Sequence, residues 1–317
     1  MTNKSITKWL SAVKPICAVA IARLRESGHL DWDDKVTDYI SEFGSKGKED
    51  ITIRHLLTHT SGIRHISTKK ETWELHIAEI CEGGLYPDWI PGEKAGYAVS
   101  LGWMILAEIL QRVDGRHYDQ YAHDEILLPL QMTDTWISVS PALFESYGDQ
   151  MSLAYTSKKG KLEHLEWDSP DEGLYWPGGS ARGPVRELGH FYEMLLFDGE
   201  RDGVRILSSE SVHDITSVHR SGMLDTTFKQ TIDWGFGFLI DSKSNNPDGH
   251  DYGYGTHASS NTFGHGGFQS AIGFADPDKE LVVSWAFNGL PGDAAHRKRN
   301  HTMNTAIYED LGLGGRT

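Results

Sequence analysis

Apolar residues recur at helical spacing near the start of the chain, between positions 12 and 26. Pro15 falls among the first residues of that segment, whose N–H groups lack partners inside a helix, and Gly28 follows as a stop. The pattern therefore predicts a helix from about Ala12 to Glu26. Its apolar positions are Val13, Ile16, Cys17, Ala20, Ile21 and Leu24.

The middle of the chain shows the same periodicity. A second helix is predicted in "ITIRHLLTHTSGI", with Thr52 as its cap and an end near Gly62. A third, "LGWMILAEILQRV", is apolar nearly all round, which predicts a buried helix. "VRELGHFYEMLL" carries one apolar stripe. We therefore expect a mainly helical region with loops rich in Pro and Gly.

The last third of the chain changes to strand-like patterns. "TIDWGFGFLID", "TFGHGGFQSAIGFAD" and "KELVVSWAFNG" are rich in aromatic and β-branched residues and are bounded by turn residues, and "DPDKE" predicts a tight hairpin. A closing helix is predicted from about Ala294 to Leu311. Together these elements predict an α/β fold, with a sheet domain built from residues 1–27 and 205–317, a mainly helical domain of residues 28–204, and an active site in the cleft between them.

Composition narrows the classes of function. The chain has 317 residues and a mean hydropathy of −0.43, and no run approaches the roughly 18 to 20 apolar residues that a membrane span requires. Its formal charge of −15, from 45 acidic and 30 basic residues, would repel nucleic acid and anionic lipid. Cys17 and Cys81 are too few for a disulfide framework. We expect a soluble, cytoplasmic protein with reduced thiols that binds neither nucleic acid nor membrane.

The N-terminal segment has a second interpretation, as a secretion signal. Lys4, Lys8 and Lys14 precede the apolar run "ICAVAIA". That run is at the short limit for a signal, and Arg23 and Arg25 follow it at once. The helix interpretation therefore fits the pattern better.

Ser11 and Lys14 stand three residues apart where the first helix begins. This spacing places both side chains on one face. Burial and the helix dipole would lower the pKa of such a lysine, so that it can exchange a proton with a serine nucleophile. The S-x-x-K pattern is weak alone, because Ser5 and Lys8 repeat it. The alternative is that Ser11 is only a helix cap.

Five segments in order strengthen that pattern. They are "SAVKPICAVAIARLRESGHLDWDDKVTDYI", "ITIRHLLTHTSGI", "PGEKAGYAVSLGWMILAEILQRVDG", "PGGSARGPVRELGHFYEMLLFDGERDGVRILSSESV" and "FGHGGFQSAIGFADPDKELVVSWAFNG". Together they resemble the serine β-lactamase-like superfamily, in its branch of class C β-lactamases, DD-peptidases and esterases, over almost the whole chain. The resemblance implies an antiparallel sheet flanked by helices beside a mostly helical domain. It also implies that Ser11 is the acylated nucleophile, Lys14 its proton partner and Tyr97 a general base.

A glycine-rich strand occupies the place of the family's third element, which is often K-T-G and in esterase-like members H-x-G. Here it consists of His265, Gly266 and Gly267. The resemblance implies that this strand edge binds substrate, and that the N–H groups of Phe268 and Ser11 form the oxyanion hole. The lysine and threonine that would bind a β-lactam or peptide carboxylate are missing, so esters or unusual amides are expected rather than penicillins.

Other positions also depart from the family pattern. "YAVSLGW" lacks the asparagine expected two residues after Tyr97, and Ser100 is the candidate substitute in substrate binding. Trp176 and Trp167 flank a loop that by family position overlooks the cleft, where they are expected to shape an acyl pocket. Family members have several dozen residues before the serine and this chain has ten. A partner chain, a self-dimer or altered packing is therefore expected at an exposed sheet edge.

These features predict a serine acyl hydrolase or acyl transferase that acts on a small-molecule ester or amide, with no metal or organic cofactor. His55 and His59 suggest a zinc site by their spacing, but Leu56 stands where the zincin pattern needs a glutamate. Two alternatives stay open. One is β-lactamase or DD-peptidase activity, and the other is a non-catalytic or partner-dependent binding module.

Overall fold

The structure is a computed structural model that describes residues 1–66, 72–158, 161–165, 169–171, 174–245 and 252–314. Its α-helices are α1 (Lys14–Glu26), α2 (Ile53–Leu57), α3 (Trp73–Glu82), α4 (Leu101–Asp114), α5 (Tyr118–Ala122), α6 (Pro141–Tyr147), α7 (Val185–Leu196), α8 (Ser209–Thr216) and α9 (Asp293–Asp310). Short 3-10 helices lie at Leu10–Val13, Val36–Asp38, Ser41–Phe43, Gly148–Gln150 and Pro277–Lys279, and a π-helical turn lies at His123–Leu127.

The strands form a four-stranded antiparallel sheet and several smaller pairings. They are β1 (Thr7–Lys8), β2 (Tyr155–Lys158), β3 (Lys161–His164), β4 (Arg182–Gly183), β5 (Glu200–Arg201), β6 (Val204–Arg205), β7 (Leu224–Asp225), β8 (Gln230–Thr231), β9 (Leu239–Ile240), β10 (Phe263–Gly266), β11 (Ala271–Asp276), β12 (Leu281–Ala286) and β13 (Gly289–Leu290). The main sheet has the order β12-β11-β10-β9. The smaller sheets are β13-β2-β3, β1-β4, β5-β6 and β7-β8.

The main sheet is covered on both faces. Every residue of β11 is buried, and successive residues of a strand face opposite sides. On one side Gly273 lies against α7, where an added Cβ would stand 2.3 Å from the ring of Tyr192. On the other side Phe274 stacks with Tyr308 of α9, with ring centroids 6.5 Å apart. The predicted architecture, an antiparallel sheet flanked by helices, is confirmed.

Most of the predicted elements are present, with shifted ends. The helix predicted over residues 12–26 begins with the 3-10 turn Leu10–Val13, and α1 proper starts at Lys14 and ends at Glu26. Pro15 lies in the first turn of α1, where its missing N–H breaks no helical bond. The "DPDKE" hairpin joins β11 to β12, with Glu280 in the left-handed region at φ +49°.

The helical part is organised around α4, which is buried from Leu101 to Leu110 and packs against α1, α2, α3 and α5. Helix α7 packs on the main sheet, although it precedes residue 205, at which the predicted sheet domain resumes. The division into two domains stays a prediction.

The outer edge of β12 pairs with no other strand within the described ranges. In that part of the chain, no helix combines the length and the apolar character needed to cross a bilayer.

Candidate active site

Ser11 lies on a tight turn between β1 and α1. The residue before it, Leu10, has a positive φ of 51°, a conformation that residues other than glycine rarely adopt and that often marks functional sites. Ser11 itself is partly exposed, within the 3-10 turn, whereas Lys14 is fully buried. The turn therefore presents a partly exposed hydroxyl with a buried amine beneath it.

The Lys14 amine is held by two hydrogen bonds. Its Nζ donates to Ser11 Oγ at 2.9 Å and to the Gly178 carbonyl at 2.7 Å. The ring of Trp103 lies on the far side, 5.6 Å from Nζ to the ring centroid. Gly178 allows this approach, because an added Cβ would stand 3.1 Å from Nζ. Burial lowers the pKa of Lys14 from its ordinary value of 10.5 to about 7.

Tyr97 completes the group. Its ring lies beside Lys14, with Nζ 5.2 Å from the ring centroid. Burial raises the pKa of Tyr97 well above its ordinary value, and the nearby Ser11 side chain opposes this shift in part. The phenol is therefore neutral in the resting protein, and of these groups Lys14 is the one that releases its proton near neutral pH.

The backbone around Tyr97 is fixed by hydrogen-bond acceptors from two distant segments. The N–H of Gly96 donates to the His59 carbonyl (3.0 Å), and the N–H of Ala98 donates to His59 Nδ1 (3.1 Å). Between them, the N–H of Tyr97 donates to Asp225 Oδ1 (3.1 Å). Three consecutive N–H groups are thus held from outside their own segment, which orients the phenol toward Ser11.

Asp225 is in turn held by a buried arginine. Arg220 contacts the other carboxylate oxygen of Asp225 at 3.1 Å, and both side chains are almost completely buried. Arg220 also donates to the Thr58 carbonyl at 2.9 Å, next to His59. Burial lowers the pKa of Arg220 to about 10. The two supports of Tyr97 are therefore tied to each other.

His59 does not share a helical face with His55. Helix α2 ends at Leu57, and His59 has a φ of +59°. Burial, with the charge of Arg220 second, lowers the pKa of His59 well below its ordinary value, so the imidazole is neutral. The geometry assumed by the zinc hypothesis is absent, and no grouping of three or more metal-type ligands occurs among the residues that the structure describes.

The glycine-rich strand β10 runs beside the Ser11 turn. An added Cβ on Gly267 would stand 2.1 Å from the Trp9 carbonyl oxygen, and one on Gly266 would stand 2.5 Å from the ring of Tyr252. The His265 side chain is buried, and its Nδ1 pairs with the Gly266 carbonyl at 2.8 Å. Burial, reinforced by the Lys14 charge, lowers the pKa of His265 to about 3. This strand therefore carries a neutral, buried imidazole, whose ring centroid lies 6.0 Å from that of Tyr97.

The remaining predicted site residues lie on different sides of Ser11. Phe268 lies two residues after the end of β10, with a side chain that is 47% exposed. Ser100 precedes α4 and lines a cavity of about 760 Å³ beside Tyr97. Trp176 instead begins the turn that carries Gly178, the residue whose carbonyl binds Lys14, and it packs against the core. Trp167 lies outside the described residues.

His59, Asp225 and Arg220 support the site without a sequence signal of that role, and the spacing of His59 to His55 suggests a zinc site instead. The contacts of His59 and Asp225 with the Tyr97 segment arise only when segments more than 35 residues apart meet. Arg220 acts through Asp225, with which it is paired.

A family model described as Beta-lactamase matches residues 1–306. The chain therefore belongs to the Beta-lactamase family, and the resemblance predicted from the ordered segments is confirmed.

Several known proteins are similar to this chain. "Esterase/beta-lactamase LipL" of Mycobacterium tuberculosis (strain ATCC 25618 / H37Rv) is 22% identical over 308 residues, which cover 88% of this chain and 68% of LipL. A penicillin-binding protein homolog from Caulobacter crescentus superposes with a TM-score of 0.76 at 23% identity, covering 96% of this chain and 84% of that one. EstA from Arthrobacter nitroguajacolicus Rue61a gives 0.76 at 22%, covering 98% and 85%. These structural likenesses show a shared fold.

Proposed function

We propose that this protein is a serine acyl hydrolase or acyl transferase that forms a covalent acyl-enzyme on Ser11. One observation carries the proposal. The hydroxyl of Ser11 accepts a hydrogen bond from the Lys14 amine at 2.9 Å, and the ring of Tyr97 lies beside the same amine, 5.2 Å from Nζ to its centroid. A nucleophile in contact with a proton acceptor, with a second proton-transfer group beside them, is the arrangement that covalent acyl transfer needs. Membership of the Beta-lactamase family supports it.

In the proposed acylation step, neutral Lys14 takes the proton from Ser11 as Oγ attacks the substrate carbonyl carbon. Lys14 suits this role because its pKa is about 7. The tetrahedral intermediate then collapses, and the bond from the carbonyl carbon to the leaving oxygen or nitrogen breaks. Tyr97 gives its proton to the leaving group and regains one from the Lys14 ammonium. The enzyme is left acylated and neutral.

The oxyanion would be stabilised by backbone N–H groups of Ser11 and Phe268. The approach of Gly267 to the Trp9 carbonyl supports this assignment, because it sets the end of β10 against the turn that carries Ser11. In the second half of the reaction, water or an acceptor alcohol or amine enters where the leaving group left. Neutral Lys14 takes the acceptor's proton, relayed through the Tyr97 phenol, as the acceptor attacks the acyl carbonyl carbon, and the Lys14 ammonium then returns a proton to Ser11 Oγ as the bond from the acyl carbon to Oγ breaks. Water gives hydrolysis, and another acceptor gives acyl transfer.

Esters or unusual amides are the proposed substrates. A β-lactam or peptide substrate carries a carboxylate that a cation normally recognises. His265 occupies the third element, and burial keeps it neutral by lowering its pKa to about 3. β-Lactamase or DD-peptidase activity is the alternative, and the name of LipL includes both esterase and β-lactamase.

Turnover of short p-nitrophenyl esters, compared with nitrocefin, tests this proposal. We expect ester hydrolysis that is abolished in Ser11→Ala. Ser5→Ala is the matched control, because Ser5 and Lys8 have the same S-x-x-K spacing. Faster turnover of nitrocefin than of any ester would favour the alternative. Equal activity in Ser11→Ala and the unsubstituted protein would refute the proposal, and absence of all turnover would favour a binding module.

Association through the sheet edge is a further part of the proposal. The outer edge of β12 offers backbone groups to a second copy or a partner chain. Native mass spectrometry would show a dimer or higher assembly if this edge is paired, and a monomer at all concentrations would refute it. The buried free thiols of Cys17 and Cys81 support the proposed cytoplasmic location.

A further inference from the structure

We infer that the cavity beside Tyr97 binds a planar aromatic group of the substrate, with the indole of Trp89 as its platform. This inference rests on the proposed function, since it names the substrate class of the same site. The cavity of about 760 Å³ is within the range of small-molecule sites. Tyr97 and Ser100 line it, and Tyr97 connects it to the reacting group, because the Tyr97 ring also lies beside the Lys14 amine that contacts Ser11.

Trp89 is seated by two glycines. An added Cβ on Gly62 would stand 2.0 Å from indole Cδ1, and one on Gly96 would stand 3.0 Å from Cη2. Gly62 also has a φ of +72°, which disfavours any side chain there. The indole N–H donates to the Thr60 carbonyl at 3.0 Å. The ring is therefore fixed in orientation before a ligand arrives, and its polar atom is already satisfied.

The indole is partly exposed although its edge is held. Tyr86, whose ring centroid lies 6.0 Å away at an angle of 45°, forms a second aromatic wall and is 43% exposed. Ile63 lines the cavity from within, and Val99, which is 57% exposed, lines its mouth. An apolar surface of this kind, next to a reacting centre, favours a ligand group that covers it.

The walls of the cavity are mainly apolar and aromatic. Lys94 is the lysine in the wall, where it is exposed to solvent and donates one hydrogen bond to the carbonyl of Asp88. Ser61 is buried. Rings prefer offset or edge-to-face contact with other rings, which gives a planar aromatic group an advantage over a saturated ring of the same size. The walls of Trp89 and Tyr86 are tilted in the manner that such contacts use.

The aromatic group can belong to the acyl side or to the alcohol side of the ester, and two pairs of substrates separate these sources. Ethyl phenylpropanoate against ethyl cyclohexylpropanoate tests the acyl side. Phenylethyl acetate against cyclohexylethyl acetate tests the alcohol side. In one pair we expect the phenyl ester to have a kcat/KM about threefold to tenfold higher, as measured by pH-stat titration.

Two substitutions tie that preference to the cavity. Trp89→Leu should reduce the phenyl-to-cyclohexyl ratio to about one. Val99→Trp should lower kcat/KM for both members of the preferred pair by filling the mouth, without removing a buried contact. Phe197→Leu is the control, because Phe197 is an exposed aromatic residue that lines no part of this cavity. Thermal unfolding of each variant verifies that it is folded.

Titration calorimetry of the four esters binding to Ser11→Ala separates this inference from the proposed function. Binding that prefers phenyl and depends on Trp89, without turnover by the unsubstituted protein, would support the cavity and refute the hydrolase. Turnover with equal phenyl and cyclohexyl rates, unchanged in ratio by Trp89→Leu, would refute the cavity and support the hydrolase. Neither binding nor turnover would refute both.

Discussion

The buried amine of Lys14 makes the stability of this protein depend on pH in a way that replacement by methionine should abolish. Burial holds the pKa of Lys14 at about 7 in the folded state, against an ordinary value of 10.5. Between these values the unfolded chain binds more protons than the folded one. The free energy of unfolding of the unsubstituted protein therefore rises with pH across that window.

The size of the effect follows from the same two pKa values. Below about pH 6 the full shift destabilises the folded state by about 5 kcal/mol, as an order of magnitude. As the pH rises from about 7 to about 9.5, the free energy of unfolding increases by about 3 kcal/mol, because Lys14 loses its proton in the folded state. Lys14→Met also leaves the Gly178 carbonyl without its 2.7 Å partner. That loss is the same at every pH, so it changes the free energy of unfolding by a constant amount and leaves its slope against pH unaltered.

Urea unfolding at a series of pH values measures this slope. The difference in unfolding free energy, Lys14→Met minus unsubstituted protein, should fall by about 3 kcal/mol from about pH 7 to pH 9.5. Lys4→Met, at an exposed lysine, is the matched control for loss of a lysine charge. If the Lys14→Met curve runs parallel to that of the unsubstituted protein, Lys14 is not a neutral base near pH 7 and the argument from burial is wrong.

Three more predictions concern catalysis and support of the site. The kcat/KM for a short ester should rise about tenfold per pH unit below about pH 7 and then level, because Lys14 must be unprotonated, and a fall with rising pH would contradict this. Tyr97→Phe should lower kcat about a hundredfold or more in steady-state assays, and less than threefold would exclude a proton-transfer role. Asp225→Asn should lower the free energy of unfolding by about 3 to 5 kcal/mol, because it leaves Arg220 buried without its counter-charge. An unchanged thermal unfolding curve would show that the pair contributes little to stability.

Much of the fold could be predicted because the spacing of apolar residues is visible within each single helix or strand. The apolar segment before Gly115 predicts α4, and the stripe in "VRELGHFYEMLL" predicts α7 with the bounds observed. The strand-like segment "TFGHGGFQSAIGFAD" contains two strands, since β10 and β11 are joined by a turn with Gln269 at a positive φ. Helix α2 ended earlier than predicted, because the backbone at His59 turns left-handed to meet the Tyr97 segment.

The candidate site was predictable only in part, for a physical reason. A nucleophile and its lysine lie within one turn, so local spacing reveals them, and the family resemblance supplied Tyr97 and the β10 residues. The residues that orient Tyr97 act through backbone hydrogen bonds from His59 and Asp225. A backbone N–H has no sequence signature of its own, so such contacts require the folded structure. The role of Trp89 could not be predicted either, because its contact with two glycines forms only when separate segments meet in the tertiary fold.

Mass spectrometry of the protein after reaction with a fluorophosphonate probe tests the central claim most directly. The account predicts one covalent adduct, on the peptide that contains Ser11, and its loss in Ser11→Ala but not in Ser5→Ala. It also predicts a labelling rate that rises with pH through about 7 as Lys14 loses its proton. No adduct on Ser11, or equal labelling at another serine, would contradict the claim that this hydroxyl is the activated nucleophile.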